Sequence, residues 1–363
     1  VKAVVVVGAR PNFMKAAPLI REFARRPRVR SLLIHTGQHY DENMSRVFFE
    51  DLELPAPDVH LGVGSGSHAE QTGKIMAAFE GVVARERPDL IIVVGDVNST
   101  LACSIVGAKA LVPVAHVEAG LRSFDLAMPE EINRMVTDIL SSFCFTTSPE
   151  AEPNLLREGV RPERIFFVGN IMIDSLLFYL ERSERSRVVE NLGLAPASYV
   201  LVTLHRPSNV DRPDIFGGIM GALAGIARSV PVVFPVHPRT RKMIESAGGS
   251  LDIPGNLKLI EPLGYLDFVK AMRHARIVIT DSGGIQEETT VLGIPCITVR
   301  ENTERPITIE MGTNVLVGTD PAKIRSEAAK ILGGAVRAHR VPPLWDGHTA
   351  RRIADVIEAH FPS

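Results

Sequence analysis

Carboxylates and cations at the ends of apolar runs are the groups in this 363-residue chain whose placement could do chemistry. Asp96 closes the run LIIVVGD, Glu118 closes VPVAHVEAG, and the adjacent pair Glu130 and Glu131 follows Pro129 shortly afterwards. Each has a plain structural use as well. Asp96 could cap the next helix, and Glu130 could sit in a first helical turn, where the helix dipole favours negative charge. Three carboxylates converging on one sheet edge would instead suit proton transfer. Desolvation on entering a cleft raises a carboxyl's pKa toward the range that such work needs.

The cations raise a complementary question. GARPNFMK puts Arg10 and Lys15 at the start of a helical pattern, where the dipole disfavours positive charge. An anion held between them would resolve the conflict, although the stretch lacks the spacing of a lysine-ended P-loop. DSGGIQEE, 281–288, offers an anion site of another kind. A helix start presents unpaired N–H groups, Ser282 can cap it, and Gly283 and Gly284 allow close backbone approach. A plain strand-to-helix turn is the alternative. Glu287 and Glu288 leave a helix about 100° apart, a poor arrangement for chelating one metal ion. His205, His237 and Arg305 also fall at the ends of apolar runs, where a lone histidine is more often structural than catalytic.

The elements that must position these groups are short, continuous, β-branched runs, each followed by a helical pattern. The first half contains KAVVVVG, SLLIHTG, LIIVVGD, VPVAHVEAG, SFCFTTS and RIFFVGN; the second contains YVLVTLH, VPVVFPVHP, LKLIEP, ARIVITDSG, IPCITVR and NVLVGTD. Runs that are apolar throughout, rather than alternating, predict parallel sheets covered on both faces. The expected fold is therefore α/β, two Rossmann-like doubly wound domains facing a cleft, with ligands at the carboxyl ends of the strands. The texture places an N-terminal domain at 1–170, a C-terminal one at 171–345 and an amphipathic helix at 346–363.

Bulk properties exclude several classes. A formal net charge of −2 gives no general attraction to nucleic acid or an anionic membrane. Cys103, Cys144 and Cys296 are scattered in apolar contexts, which fits a reducing compartment. No apolar run approaches the length of a membrane span, and the first residues already read as a strand, so a cytoplasmic location is expected. GVGSGSH at 62–68 has no strand before it and the wrong spacing for a dinucleotide fingerprint. With no HExxH, Walker A loop, DxD pair or Cys/His cluster in the sequence, neither a metal nor a nicotinamide cofactor is expected.

Taken in order, GARPNFMKAAP, TGQHYDENM, GDVNSTLA, HVEAGLRSFDLAMPEEINR, TLHRPSN, HPRT, DSGGIQEE and NTERP give the chain an end-to-end character of its own. It resembles the non-hydrolysing UDP-N-acetylglucosamine 2-epimerases. The resemblance implies the GT-B arrangement of two Rossmann-like domains, a homodimer, and a C-terminal helix returning toward the first domain. It implies interconversion of UDP-GlcNAc and UDP-ManNAc through loss of UDP, a glycal intermediate and re-addition, in a polysaccharide-biosynthesis setting and without a cofactor.

By motif, the resemblance assigns Asp96, Glu118 and Glu130 as catalytic carboxylates. It places Arg10, Lys15 and His205 near the diphosphate and leaving oxygen. Ser282, Gly283 and Gly284 correspond to the phosphate turn, Glu288 to a ribose contact, Phe268 to an aromatic near uracil, and Arg305 to a further substrate-binding residue. Departures are Asn12 and Ser208, where bacterial members commonly carry glutamates. A third is QHYDENM in place of an arginine-containing allosteric pattern, so no activator requirement is expected. A 2-epimerase of UDP-2,3-diacetamido-2,3-dideoxy-glucuronic acid is the nearest rival, which RPNFMKA and TGQHYDENM favour. A GT-B glycosyltransferase would need an acceptor groove and no clustered carboxylates. A sugar-nucleotide sensor could keep DSGGIQEE without Asp96, Glu118 and Glu130.

Overall fold

Burial on both faces dictates the sheets. In the computed structural model, which describes residues 1–38, 54–249, 251–335 and 337–361, the strand Leu90–Val94 is buried at every position. Each of the twelve apolar runs forms a strand: β1 (Lys2–Val7), β2 (Arg30–His35), β4 (Leu90–Val94), β5 (Val114–Ala119), β6 (Phe143–Thr146), β7 (Ile165–Phe167), β8 (Val200–Thr203), β9 (Val232–Pro235), β10 (Leu257–Ile260), β11 (Ile277–Thr280), β12 (Cys296–Thr298) and β13 (Asn314–Leu316). A further two-residue strand, β3 (Val59–His60), joins the edge beside β2.

The described strands form two parallel sheets, ordered β3-β2-β1-β4-β5-β6-β7 and β10-β9-β8-β11-β12-β13. Numbered within its own unit, each begins 3-2-1-4-5-6, the doubly wound order of a Rossmann fold. The α/β, Rossmann-like expectation is met. Strand order reverses between β1 and β4 in one sheet and between β8 and β11 in the other, and such switch points are where ligands bind. Helices cover both faces. Val4, Val6, Ile91 and Val93 pack with Phe79 and Ala102 in the first sheet; Val200, Val202, Ile277 and Ile279 pack with Phe216 and Leu223 in the second.

The chain divides into two compact units. One is Val1–Leu177 together with Pro343–Ser363, the other Phe178–Pro342. The division falls inside the helix Ile171–Ser183, because its early residues belong to the first core. Ile171, Ile173 and Leu176 are fully buried, and Ser175 Oγ donates to the carbonyl of Met14.

The returning segment is anchored by specific bonds. Trp345 Nε1 donates to the carbonyl of Thr147 at 2.9 Å. Asp174 accepts from the backbone N–H groups of Thr349 and Ala350, so it caps the helix Thr349–His360 from outside that helix. Arg26 then pairs with Asp355 and Glu358 on the same helix.

Candidate active site

In the first unit the polar groups gather where β1 and β4 part. The turn after β1 is tied by Asn12, whose Oδ1 accepts from the N–H groups of Gly8 and Ala9 at 3.1 and 3.0 Å. Its Nδ2 donates to the carbonyl of Val94 at 2.9 Å. A carboxylate could not make that last bond, so this position joins the ends of two strands only as an amide. Arg10 takes the first position of the helix Arg10–Phe23, and Lys15 lies on the same helix.

Lys15 Nζ forms an ion pair with Glu118 Oε2, and both side chains are buried. The other oxygen of Glu118, Oε1, is also buried and has no hydrogen-bond partner among the described residues. Glu118 has φ +76°, a left-handed conformation rare for a residue with a side chain, and the β5–β6 register shifts between Val117 and Ala119. Such a conformation costs about 1–3 kcal/mol and is typical of functional sites. Gly95 completes the turn. A Cβ there would lie 2.8 Å from Lys15 Nζ and 3.6 Å from Glu118 Oε2.

Asp96 does not cap the helix that follows, Asn98–Lys109, which has no side-chain cap. Its carboxylate pairs with the buried guanidinium of Arg134, and its carbonyl accepts from Asn133 Nδ2 at 2.8 Å. Arg134 binds Glu131 through Nε and a terminal nitrogen. Glu131 in turn accepts from the N–H groups of Ser123 and Phe124. Burial pushes the Glu131 carboxyl up, but the Ser123 amide and the Arg134 guanidinium outweigh it and hold the group below its ordinary value. Glu130, its neighbour, is solvent-exposed in the first turn of the helix Pro129–Leu140. The fold thus brings Asp96, Glu118 and Lys15 together and leaves the Glu130 side chain outside that network.

The second unit repeats the arrangement at its own switch point. Asp281, at the end of β11, is fully buried and accepts from the N–H groups of His205 and Arg206 and from Asn209 Nδ2. It also faces His205 Nδ1 at 3.0 Å. Burial pushes its carboxyl up; the bonds from His205 and the Arg206 amide prevail and keep it below the usual range. A carboxylate on Nδ1 fixes the orientation of this half-exposed ring.

Ser282 stands at the N-cap of the helix Gly283–Leu292, yet its side chain makes no capping bond, contrary to the sequence expectation. Gly283 has a structural use beside the one its motif suggests. A Cβ at that position would lie 2.4 Å from a terminal nitrogen of Arg305 and 2.8 Å from Glu304 Oε1, so the glycine admits a guanidinium. Arg305 Nε donates to Glu287 Oε1 at 2.7 Å. Around the buried carboxylate of Glu304 stand Arg305, Arg300 and Arg206. They overcome the upward push of burial and hold it well below its ordinary value. These three arginines lie beside a helix N-terminus, balanced in part by Glu304 and Glu287.

Glu287 and Glu288 turn to different partners. Glu288 accepts from Tyr265 Oη at 3.0 Å, and burial pushes its carboxyl up to about 7. Phe268 is half-buried and packs against the cluster of Val278, Ala271 and Met272. Glu131, Arg134 and Asp138 recur at helical spacing on one buried face, a periodicity that would have distinguished them from Glu130. Tyr40 and Asp41, on which the activator expectation rests, lie outside the described residues.

Paired Rossmann-type sheets, each with its polar groups at a strand-order switch point, define the class: a two-unit α/β protein built for nucleotide-like ligands. A family profile described as UDP-N-acetylglucosamine 2-epimerase matches residues 21–358. The chain is 42% identical to a UDP-N-acetylglucosamine 2-epimerase of Methanocaldococcus jannaschii, over 98% of each chain. It is 40% identical to a UDP-2,3-diacetamido-2,3-dideoxy-D-glucuronate 2-epimerase of Pseudomonas aeruginosa, over 93% of this chain and 94% of that one. A crystal structure of the M. jannaschii UDP-GlcNAc 2-epimerase in complex with UDP-GlcNAc and UDP superposes with TM-score 0.91 at 41% identity, covering 99% of this chain and all of that one. The chain belongs to the UDP-N-acetylglucosamine 2-epimerase family.

Proposed function

We propose that this protein catalyses reversible C2 epimerisation of UDP-GlcNAc and UDP-ManNAc. The observation that carries the reading is the strained Glu118, paired with Lys15 and adjoining the Asp96 turn, in a chain of this family. One carboxylate removes the C2 proton while the C1–O bond to UDP breaks, giving a glycal and free UDP. The UDP oxygen then re-forms the bond to C1 as a proton is delivered to the opposite face of C2. Inversion requires protonatable groups on both faces, which Asp96, Glu118 and Glu130 supply.

Negative charge develops on the departing diphosphate, so its donors must be placed in advance. In this reading Arg10, Lys15 and His205 act there. Ser282, Gly283, Gly284 and Arg305 bind phosphate, Glu288 meets the ribose and Phe268 flanks the uracil. We place the enzyme in the cytoplasm, in polysaccharide biosynthesis, as a homodimer. The exposed stripe of Ile132, Val136 and Ile139 on one helix supports self-association.

A second reading rests on the similarity to the P. aeruginosa enzyme, in which the substrate is the diacetamido-glucuronate sugar nucleotide. Incubation with each sugar nucleotide in D2O separates the two. Deuterium at C2 of UDP-GlcNAc, with appearance of UDP-ManNAc, is the expected result. Exchange with the diacetamido compound alone would establish the second reading, and UDP-GlcNAc binding without exchange would make the protein a sensor.

A further inference from the structure

We propose that His116 is a positioning residue that holds the Asp96 turn and the Glu118 bulge in one geometry; this rests on the epimerase reading above. His116 lies on β5, two residues before Glu118, and is fully buried. Both of its ring nitrogens are engaged. Nδ1 faces Asp138 Oδ1 at 2.6 Å, and Nε2 faces the carbonyl of Gly95 at 2.8 Å. A carbonyl can only accept, so Nε2 donates to Gly95, the residue immediately before Asp96.

Asp138 reaches the other carboxylate. Its Oδ2 accepts from the N–H of Gly120, two residues after Glu118, at 3.0 Å, and from Arg122 at 2.7 Å. Arg122 is held in turn by Glu158. Burial pushes the Asp138 carboxyl up, but His116 and Arg122 prevail and keep it ionised. The ring and this carboxylate therefore grip the backbone just before Asp96 and just after Glu118. Gly95 and Gly120 are both left-handed, at φ +68° and +79°, and Glu118 between them is strained, so the bulge would relax if released. None of these groups is expected to touch substrate. Their effect passes through the placement of Asp96, Glu118 and Lys15, where small displacements are costly.

Two substitutions divide the roles of the ring. In His116→Asn the amide can still reach Asp138 but not Gly95, whereas in His116→Gln it can reach Gly95. The expected result for His116→Asn is a kcat lower by on the order of 100-fold, with KM and UDP affinity within about twofold of wild type. His116→Gln should recover most of that loss. An unchanged kcat in His116→Asn, or equal losses in both variants, would overturn the proposal. A crystal structure of His116→Asn gives a readout independent of turnover: the Gly95 carbonyl and the left-handed Glu118 should both shift. If both stay in place the clamp is wrong, whereas a wild-type protein that epimerises neither sugar nucleotide refutes only the functional reading.

Discussion

The ammonium of Lys15 and the carboxylate of Glu118 pair in a site from which solvent is nearly excluded. Removing one member of a buried pair strands the other charge, which costs about 3–5 kcal/mol. Glu118→Gln keeps the shape and a hydrogen-bond acceptor but strands the Lys15 ammonium, so unfolding stability should fall by about 3 kcal/mol alongside the effect on chemistry. We expect kcat to fall by at least about 100-fold with UDP affinity retained, measured by steady-state kinetics and calorimetry. Near-normal turnover would remove Glu118 from the proton-transfer set.

Adjacent Glu130 and Glu131 should respond in opposite ways. Glu131 is buried between two backbone amides and Arg134, so Glu131→Gln should lower unfolding stability by about 3 kcal/mol. Glu130 is exposed, and Glu130→Gln should leave stability within about 0.5 kcal/mol while reducing turnover. Chemical denaturation with parallel assays tests both. A Glu130→Gln enzyme of full activity would transfer the catalytic assignment elsewhere.

Gly283→Ala introduces a methyl where the Arg305 guanidinium lies. The overpacking costs about 1–3 kcal/mol and displaces a cation from the helix start, so UDP affinity should fall roughly tenfold or more. Titration calorimetry with UDP gives the answer, and an unchanged Kd would separate Arg305 from the nucleotide.

Glu288 makes the second unit sensitive to pH. Its folded value of about 7 stands above the ordinary 4.5. Between those values the folded state holds more protons, so stability falls as pH rises through this window and levels off above it. The full drop is on the order of 3 kcal/mol. His35, in the first unit, acts oppositely: burial lowers it from 6.5 to about 4, so that unit gains stability as pH rises across its window. Comparison of wild type with Glu288→Gln isolates the carboxyl, because only the variant should lose the decline. Identical pH profiles would place the raised group elsewhere.

The replacement of the allosteric pattern by QHYDENM leads to a kinetic expectation. Progress curves starting from UDP-ManNAc should run without a lag. A lag abolished by trace UDP-GlcNAc would show that activation is retained.

The sheets are legible because most strands are built on a short, largely apolar run, from KAVVVV to the buried LIIVV. Val59–His60 was not, since a two-residue edge strand carries no pattern distinct from its loop. The division at Leu177 was displaced from the expected 170 because Ile171, Ile173 and Leu176 look apolar in either unit, and only packing assigns them. Within the site, Asp96, Glu118 and Lys15 stood out as polar groups at strand ends. Their neighbours Arg134 and Asp138 carry only the helical spacing they share with Glu131, and the groups that this buried face meets are set by tertiary packing. The motif around Gly283 suggests close backbone approach to an anion; the room it also leaves for Arg305, distant in sequence, is not visible there.

The anchoring of residues 343–361 to the first unit has a consequence for the order of events during synthesis. Phe178–Pro342 is one uninterrupted stretch and can finish folding as soon as it has emerged from the ribosome. The unit that starts first cannot. Its core must wait, with Asp174 and the carbonyl of Thr147 unpartnered, until the entire intervening unit has been translated and Trp345 arrives. Of the two units, the one begun earlier is thus the one completed later, and a nascent chain stalled before residue 343 would expose that unfinished surface to chaperones.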